Sequence, residues 1–247
     1  MKNLLFGVLM LCSFSVLAAD GPKTVAITTI YVNKTIQTES ASSVLLSKID
    51  AIGDNPAFKL DSVLAQFKRK FETEYAPSFP FKLLPEQEVI TNEKYKEFKS
   101  CGADTNSAMM RLFNPLLPSG YKFMIRTSTL TNDKRRDEMI MLSDFPDVDG
   151  VMFISLDYTI VPKMAIGGLG VAGMRATARI YLVNKMGEKV FDKIITGMSS
   201  KSVGMVEGIP VMDLDKILPL CTNATEDLFK EMDSKLPKLL KKIDKNM

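Results

Sequence analysis

Three charged side chains, Asp157, Arg175 and Arg179, are the strongest candidates for chemistry in the sequence. Alternating apolar and polar residues place all three on the polar face of two consecutive strands. If helices cover that face, the charges need partners, and we expect an Asp–Arg ion pair. If the face is open, Arg175 and Arg179 can bind an anionic ligand. The structural ion pair is the preferred interpretation, because ion pairs also form in proteins without a functional role.

The sequence contains no histidine. This excludes catalytic triads that use His, His general bases and His metal ligands. We therefore predict no catalytic residue, no cofactor and no metal site. An enzyme that works with carboxylates or a Ser/Lys pair remains an alternative, and only polar-face residues such as Asp157 favour it.

A glycine-rich apolar segment, residues 160–173 (IVPKMAIGGLGVAG), lies between the two strands. Gly168, Gly170 and Gly173 match the G-x-G-x-x-G pattern of dinucleotide-binding proteins. That pattern requires a following helix, whereas here a strand follows, so we predict a flexible hairpin loop. As an exposed apolar loop it can contact a protein partner or a membrane. The candidate contact residues in this loop are Ile166, Gly167, Gly168, Leu169 and Gly170.

A second cluster of possible ligands, Asp144, Asp147 and Asp149, precedes the first of these strands. Its spacing is similar to part of a calcium loop, but the ordered ligand pattern and the closing Glu are missing. We therefore predict a solvated turn at this position.

Residues 1–19 predict a cleaved export signal. Lys2 is followed by an apolar run over residues 4–16 and by Leu17-Ala18-Ala19, small residues of the kind at which signal peptidases cut. We expect a periplasmic or secreted product. Cys12 would suggest a lipid anchor, but the residues just before it, Met10 and Leu11, are too bulky for the usual attachment site.

Two cysteines remain after cleavage, Cys101 and Cys221. An even number in an oxidising compartment predicts one disulfide between them. The alternative is a pair of buried free thiols, because the sequence does not show whether the two Cα atoms approach closely enough.

The charge balance disfavours nucleic acid as a partner. The 32 Lys and Arg residues and 29 Asp and Glu residues give a net charge of +3, and they form no basic stripe. No segment beyond the signal is long and apolar enough to be a transmembrane helix.

The elements that carry these residues predict an α/β fold with α+β character. Residues 149–200 read as three strands, the last two joined by a short turn. Residues 58–75 have the apolar spacing of an amphipathic helix. We predict a strand at 121–127, a loop at 203–210, and a final helix at 212–236 that Pro219 kinks and Pro237 ends. The result is one domain, residues 20–247, with a mixed sheet, an antiparallel three-strand end, helices packed on the sheet and a basic C-terminal helix.

Four stretches resemble a known group of proteins: VAITTIYV, LLPEQEVITNEKYKEF, DGVMFISLDY and RATARIYLVNKMGEKVFDKIITG. In this order they resemble bacterial envelope α/β domains, namely those of the curli-secretion lipoprotein, the outer-membrane activator of penicillin-binding proteins and the N-terminal domain of TolB. The resemblance implies a non-enzymatic envelope or assembly role and carries over no functional residues. This chain lacks the usual lipid-attachment cysteine of the lipoprotein members.

Together these features predict an exported, non-catalytic binding or assembly module with an envelope protein as partner. One alternative is a membrane-associated oligomer or pore component that makes peripheral membrane contact through residues 160–173. The other is the enzyme without histidine described above.

Overall fold

The fold is a mixed β-sheet with helices on both faces, seen in a computed structural model that describes residues 22–39, 43–100, 113–124, 137–166, 169–206, 209–210 and 213–240. The strands are β1 (Thr24–Asn33), β2 (Gln37–Thr38), β3 (Lys82–Leu83), β4 (Pro115–Leu116), β5 (Gly150–Ile166), β6 (Leu169–Asn184), β7 (Lys189–Met198), β8 (Val203–Val206) and β9 (Ile209–Pro210). The α-helices are α1 (Ser43–Gly53), α2 (Asp61–Lys70), α3 (Glu86–Thr91), α4 (Glu93–Glu97), α5 (Asp137–Asp144) and α6 (Leu214–Leu240). A π-helical turn (Phe71–Tyr75) and a 3₁₀ turn (Ala76–Ser78) extend α2.

The strand order is β3-β1-β5-β6-β8-β9, with β2 beside β5, β4 beside β1 and β7 beside β6. β1 and β5 are parallel, while β5, β6 and β7 form an antiparallel meander. The predicted fold class is therefore confirmed: the chain is α/β with a mixed sheet, an antiparallel end and helices packed on the sheet.

The main core lies between one face of the sheet and helices α2 and α6. The predicted alternation is confirmed on this face, since Met152, Ile154 and Leu156 of β5 are all buried there. The apolar stripe of α2 packs on the same core through Val63, Leu64 and Phe67. This core forms because each of these helices and strands has apolar side chains on one face, and packing the faces together buries them.

Helices α3, α4 and α5 cover only part of the second face. They contribute to a smaller core that contains Val151, Phe153, Tyr181 and Val183 of β5 and β6. Farther along these strands, towards the hairpin turn, most side chains on the same face are partly exposed, among them Ser155 and Asp157, while Thr159 is buried. The sheet thus has one fully packed face and one face that is packed over only part of its length.

The predicted Cys101–Cys221 disulfide is not found. Cys221 is a free thiol, fully buried in α6 within the main core. Burial raises the pKa of this thiol far above its ordinary value, because the apolar surroundings disfavour the thiolate. Cys101 lies outside the described residues.

The prediction of a loop at residues 160–173 is wrong for most of the segment. β5 continues to Ile166 and β6 begins at Leu169, so most of the segment is a paired antiparallel hairpin. Proline and glycine suggested a loop, but Pro162 sits at a β-bulge and the glycines of β6 are paired. A bulge is one of the few places where a sheet accepts proline.

Three further expectations also differ from the structure. The predicted loop at 203–210 contains β8 and β9, and α6 continues through both Pro219 and Pro237 to Leu240. Residues 121–124 of the expected strand are irregular. Among the described helices, none is both long and apolar enough to cross a membrane.

Candidate interaction surface

The ends of β5 and β6 form a hairpin that extends past the partner strands of the central sheet. β2 pairs with β5 only at Thr159 and Ile160, and β7 pairs with β6 only from Arg175 onward. Beyond those points β6 pairs with β8 instead, and β8 pairs with β9. The tip is therefore a small sheet of its own, with the order β5-β6-β8-β9.

Large apolar side chains on one face of this small sheet are exposed to solvent. Ile166 is 76 % exposed, Leu169 64 %, Met164 62 % and Val206 56 %. The register places Ile166 opposite Leu169 and Leu169 opposite Val206, and it places Met164 opposite Val171. Residues directly opposite each other in a sheet lie on the same face. We call these five residues the apolar tip.

The apolar tip contains two of the contact residues predicted from the sequence, Ile166 and Leu169. Gly170 is half-buried and faces the other way, because it alternates with Leu169 and Val171 along β6. Gly167 and Gly168 lie outside the described residues. Met164 and Val206 were missed, since an exposed strand face cannot be recognised in a segment interpreted as a loop.

The hairpin is fixed to the rest of the sheet by Lys163. Its ammonium donates to the backbone oxygens of Ser199 at 2.5 Å and Lys201 at 3.0 Å, in the connection between β7 and β8. The side chain passes directly over Gly173, where an added Cβ would lie 2.4 Å from the Lys163 Cε. From α6, the Asn223 side chain accepts three hydrogen bonds from the same connection. The surface beneath the apolar tip is therefore anchored from two sides.

The ion pair predicted between Asp157 and an arginine is not found, because both arginines pair with other carboxylates. Arg179 donates two hydrogen bonds of 3.0 Å to the carboxylate of Asp192 on β7. Arg175 pairs at 3.0 Å with Glu39, which follows β2. Both arginines therefore already have carboxylate partners, and the bidentate pair of Arg179 with Asp192 has the stronger geometry.

Asp157 instead accepts hydrogen bonds from two neutral groups, the Asn33 amide and the Ser155 hydroxyl, each at 3.2 Å. Burial raises the pKa of the Asp157 carboxyl, and these two hydrogen bonds lower it in part. Burial and the nearby Asp157 raise the pKa of the Tyr31 hydroxyl well above its ordinary value. The arrangement is a polar cluster beside β1, and sequence reasoning missed it because Asn33 is distant in the chain.

Three cavities in the described part of the chain have neither Asp157 nor Ser155 in their lining. One, of about 210 Å³, is lined by Tyr75, Met232 and Asp233. A second, of about 480 Å³, lies beside Asp50 and Asn114, and the Asn114 backbone N–H donates to the Asn33 side chain of the cluster. The third, of about 530 Å³, is lined by Pro77, Phe81 and their neighbours.

Asp149, one of the three aspartates whose spacing is similar to part of a calcium loop, has a structural role. Its carboxylate accepts a hydrogen bond from the backbone N–H of Thr24 at 2.8 Å and lies 3.9 Å from the Lys185 ammonium. It thereby fixes the start of β1 beside β5. Among the described residues, no group of three His, Cys, Asp or Glu side chains is arranged to hold a metal ion.

No protein-family model matches the chain, and no curated protein matches it. Among solved structures, the hypothetical protein CT253 from Chlamydia trachomatis aligns with a TM-score of 0.41 and 7% identity, over 91% of this chain and 99% of that chain. Lipoprotein GNA1162 from Neisseria meningitidis aligns with a TM-score of 0.28 and 12% identity, over 82% of this chain and 96% of that chain. These likenesses are too distant to support a function, and the family resemblance stays a prediction.

Proposed function

We propose that this chain is an exported, non-catalytic module that binds a protein partner through the apolar tip. The observation that carries the proposal is the exposure, on one face of the small sheet at the end of the β5–β6 hairpin, of Met164, Ile166, Leu169 and Val206. A contiguous group of exposed large apolar side chains is typical of an interaction site, whereas such residues scattered singly over a surface are ordinary.

The size of these side chains sets the free energy available for binding. Moving one Leu, Ile, Met or Val side chain from water into an apolar contact contributes about 1.5–3 kcal/mol. Because all four lie on one face, a single partner surface can bury them together. Lys163 and Asn223 already hold the underlying strands in place. Ordering of the backbone is one of the main free-energy costs of association. Because these strands are already fixed, binding through the apolar tip needs little of it.

The polar face fits a binding role better than a catalytic one. Arg175 and Arg179 are each held by a carboxylate. Asp157 is held by two neutral donors and lines none of the three cavities described above. These contacts support the proposal that the second face acts as an interaction surface and not as an active site.

The export part of the proposal rests on the predicted signal at residues 1–19, and the proposal takes residues 20–247 as one periplasmic or secreted domain. The test is the intact mass and N-terminal sequence of the protein recovered from a bacterial host. We expect a chain that begins at Asp20. A chain that keeps Met1 in the cytoplasmic fraction would refute export.

The binding part is tested by crosslinking in the native cells with a matched pair of variants. Ile166→Ser/Leu169→Ser removes the two most exposed side chains of the apolar tip. The control is Met186→Ser, which removes an equally exposed methionine (69 %) at the β6–β7 turn, at the opposite end of the sheet. We expect the wild type and the control to give the same discrete crosslinked species, and the tip variant to lose it.

Two results would contradict the proposed function. One is a crosslinked species that persists unchanged in the tip variant, because binding would then use another surface. The other is tip-dependent co-sedimentation with lipid vesicles and no crosslinked protein, which would favour membrane contact as the role of the apolar tip.

A further inference from the structure

The apolar tip, together with Gly204 beside it, forms two short rows that cross three strands. Ile166, Leu169 and Val206 form the outer row, and Met164, Val171 and Gly204 form the inner row. Each row runs from β5 across β6 to β8. The inner row therefore has a long flexible side chain at one end and no side chain at the other.

Gly204 leaves an open space at its end of the inner row. A Cβ added there would meet no atom within 4 Å. Gly204 is not one of the described glycines with positive φ, which are Gly120 and Gly187, so its backbone does not require glycine. At the other end of the row, Met164 is 62 % exposed. The face thus carries a projecting side chain and an unfilled space on opposite sides of β6.

The edges of this small sheet are unsuited to pairing with another strand. The β5 edge carries Pro162 and a bulge at Lys163, and the outer strand β9 ends in Pro210. Proline, lysine and bulges at a sheet edge block the addition of a further strand. A partner therefore has to pack on the apolar face and cannot extend the sheet as an added peptide strand.

The two arginines next to the apolar tip are compensated within the chain, Arg175 by Glu39 and Arg179 by Asp192. The Lys163 ammonium donates to neutral backbone oxygens of the β7–β8 connection, so it is held in place but keeps its charge. Two copies of this face therefore bring together no unpaired arginine, and the apolar contact has to exceed the repulsion between their two Lys163 ammonium groups. Pairing with carboxylates makes the two arginines poor attractants for anionic lipid.

We propose that the occupant of the apolar tip is a second copy of this chain, packed face to face about a twofold axis parallel to β6. This inference rests on the proposed function of the tip as a binding surface. Such an axis places β5 of each copy over β8 of the other. Met164 then faces Gly204 of the second copy, and Leu169 and Val171 face their own counterparts. An isologous interface requires this kind of self-complementary surface.

The test is the mass of the purified mature protein in solution, by sedimentation at concentrations from about 1 to 100 µM. We expect the wild type to shift from monomer to dimer within this range. Gly204→Leu fills the open space while adding apolar surface, and we expect it to weaken the dimer at least tenfold. Its control, Lys189→Leu, adds the same side chain at an exposed site at the other end of the sheet and should leave the dimer unchanged.

A double variant tests the pairing across the axis. Met164→Ala/Gly204→Leu makes room for the new leucine and should regain most of the dimer lost in Gly204→Leu. Near-UV circular dichroism confirms that each variant is folded. A Gly204→Leu dimer as tight as the wild type would overturn the proposed geometry.

A wild type that stays monomeric at every concentration would overturn the inference. If crosslinking in cells still depends on the apolar tip, the proposed function stands with a different protein as partner. If the crosslinking is also independent of the tip, the proposed function fails together with the inference.

Discussion

Gly197 allows α6 to lie directly against β7, and replacing it with alanine tests how the main core is held together. An added Cβ would lie 2.0 Å from the Leu228 nitrogen, 2.5 Å from the Leu228 Cα and 2.7 Å from the Ala224 oxygen. All three atoms belong to the helix backbone, so no side-chain rotation relieves the contact. To reach an ordinary contact of 3.4 Å, α6 has to retreat by about 1.4 Å, the difference from the present 2.0 Å.

That retreat loosens the contact between α6 and the sheet, where Leu228 and Met232 are fully buried. Overpacking a well-packed core typically costs about 1–3 kcal/mol. Because the clash is with backbone, we expect Gly197→Ala to lower the free energy of unfolding by about 3 kcal/mol. In urea, with a slope of about 3 kcal/mol per M, this corresponds to a fall of about 1 M in the midpoint.

The matched control is Gly204→Ala in β8, where a Cβ meets open space. Alanine there should be neutral or should stabilise the chain by up to about 1 kcal/mol, because glycine in a strand loses more conformational entropy on folding. Far-UV circular dichroism at several protein concentrations separates this effect from any association through the tip. If Gly197→Ala lies within about 0.5 kcal/mol of the wild type, the close approach of α6 to β7 is refuted.

Three further predictions concern Asp157, Asn223 and Cys221. Burial raises the pKa of Asp157, so its charged form opposes folding at neutral pH. Asp157→Asn should therefore raise the urea midpoint at pH 7, and the gain should vanish below pH 3.8, the usual carboxyl value, where the aspartic acid is protonated in both states. Asn223→Ala removes three hydrogen bonds to the β7–β8 connection and should lower stability by about 1 kcal/mol, measured by urea unfolding. In a Cys101→Ser background, the buried thiol of Cys221 should resist Ellman's reagent until urea unfolds the chain.

The antiparallel centre of the fold could be predicted from the sequence because β5 and β6 alternate strictly where one face is buried. Met152 and Ile154 of β5, like Ala176 and Ala178 of β6, alternate with the polar residues of these strands and lie in the main core. The signal fails beyond Ile160, because the bulge after Pro162 interrupts the alternation and the apolar side chains of Met164 and Ile166 then lie on the exposed face.

The candidate surface could be predicted only in part. Ile166 and Leu169 were recognised as exposed apolar residues, and they lie on the apolar tip. The partners of Arg175 and Arg179 could not be foreseen, because Glu39 and Asp192 are brought beside them only by strand pairing. The final helix was expected to end at Pro237, but α6 continues to Leu240, where Leu236 and Leu240 still pack on the core.

The parallel pairing of β1 with β5 determines when this chain can fold during synthesis. The backbone N–H of Thr24 bonds to the carboxylate of Asp149, 125 residues later, and β1 pairs along most of its length with Gly150 to Leu156. At about 5–20 residues per second, a ribosome needs on the order of 10 s to make the intervening chain. During that interval β1, whose side chains are almost all buried in the folded chain, lacks its partner strand β5. β1 therefore stays without this partner until about two thirds of the chain is made, and the sheet closes late.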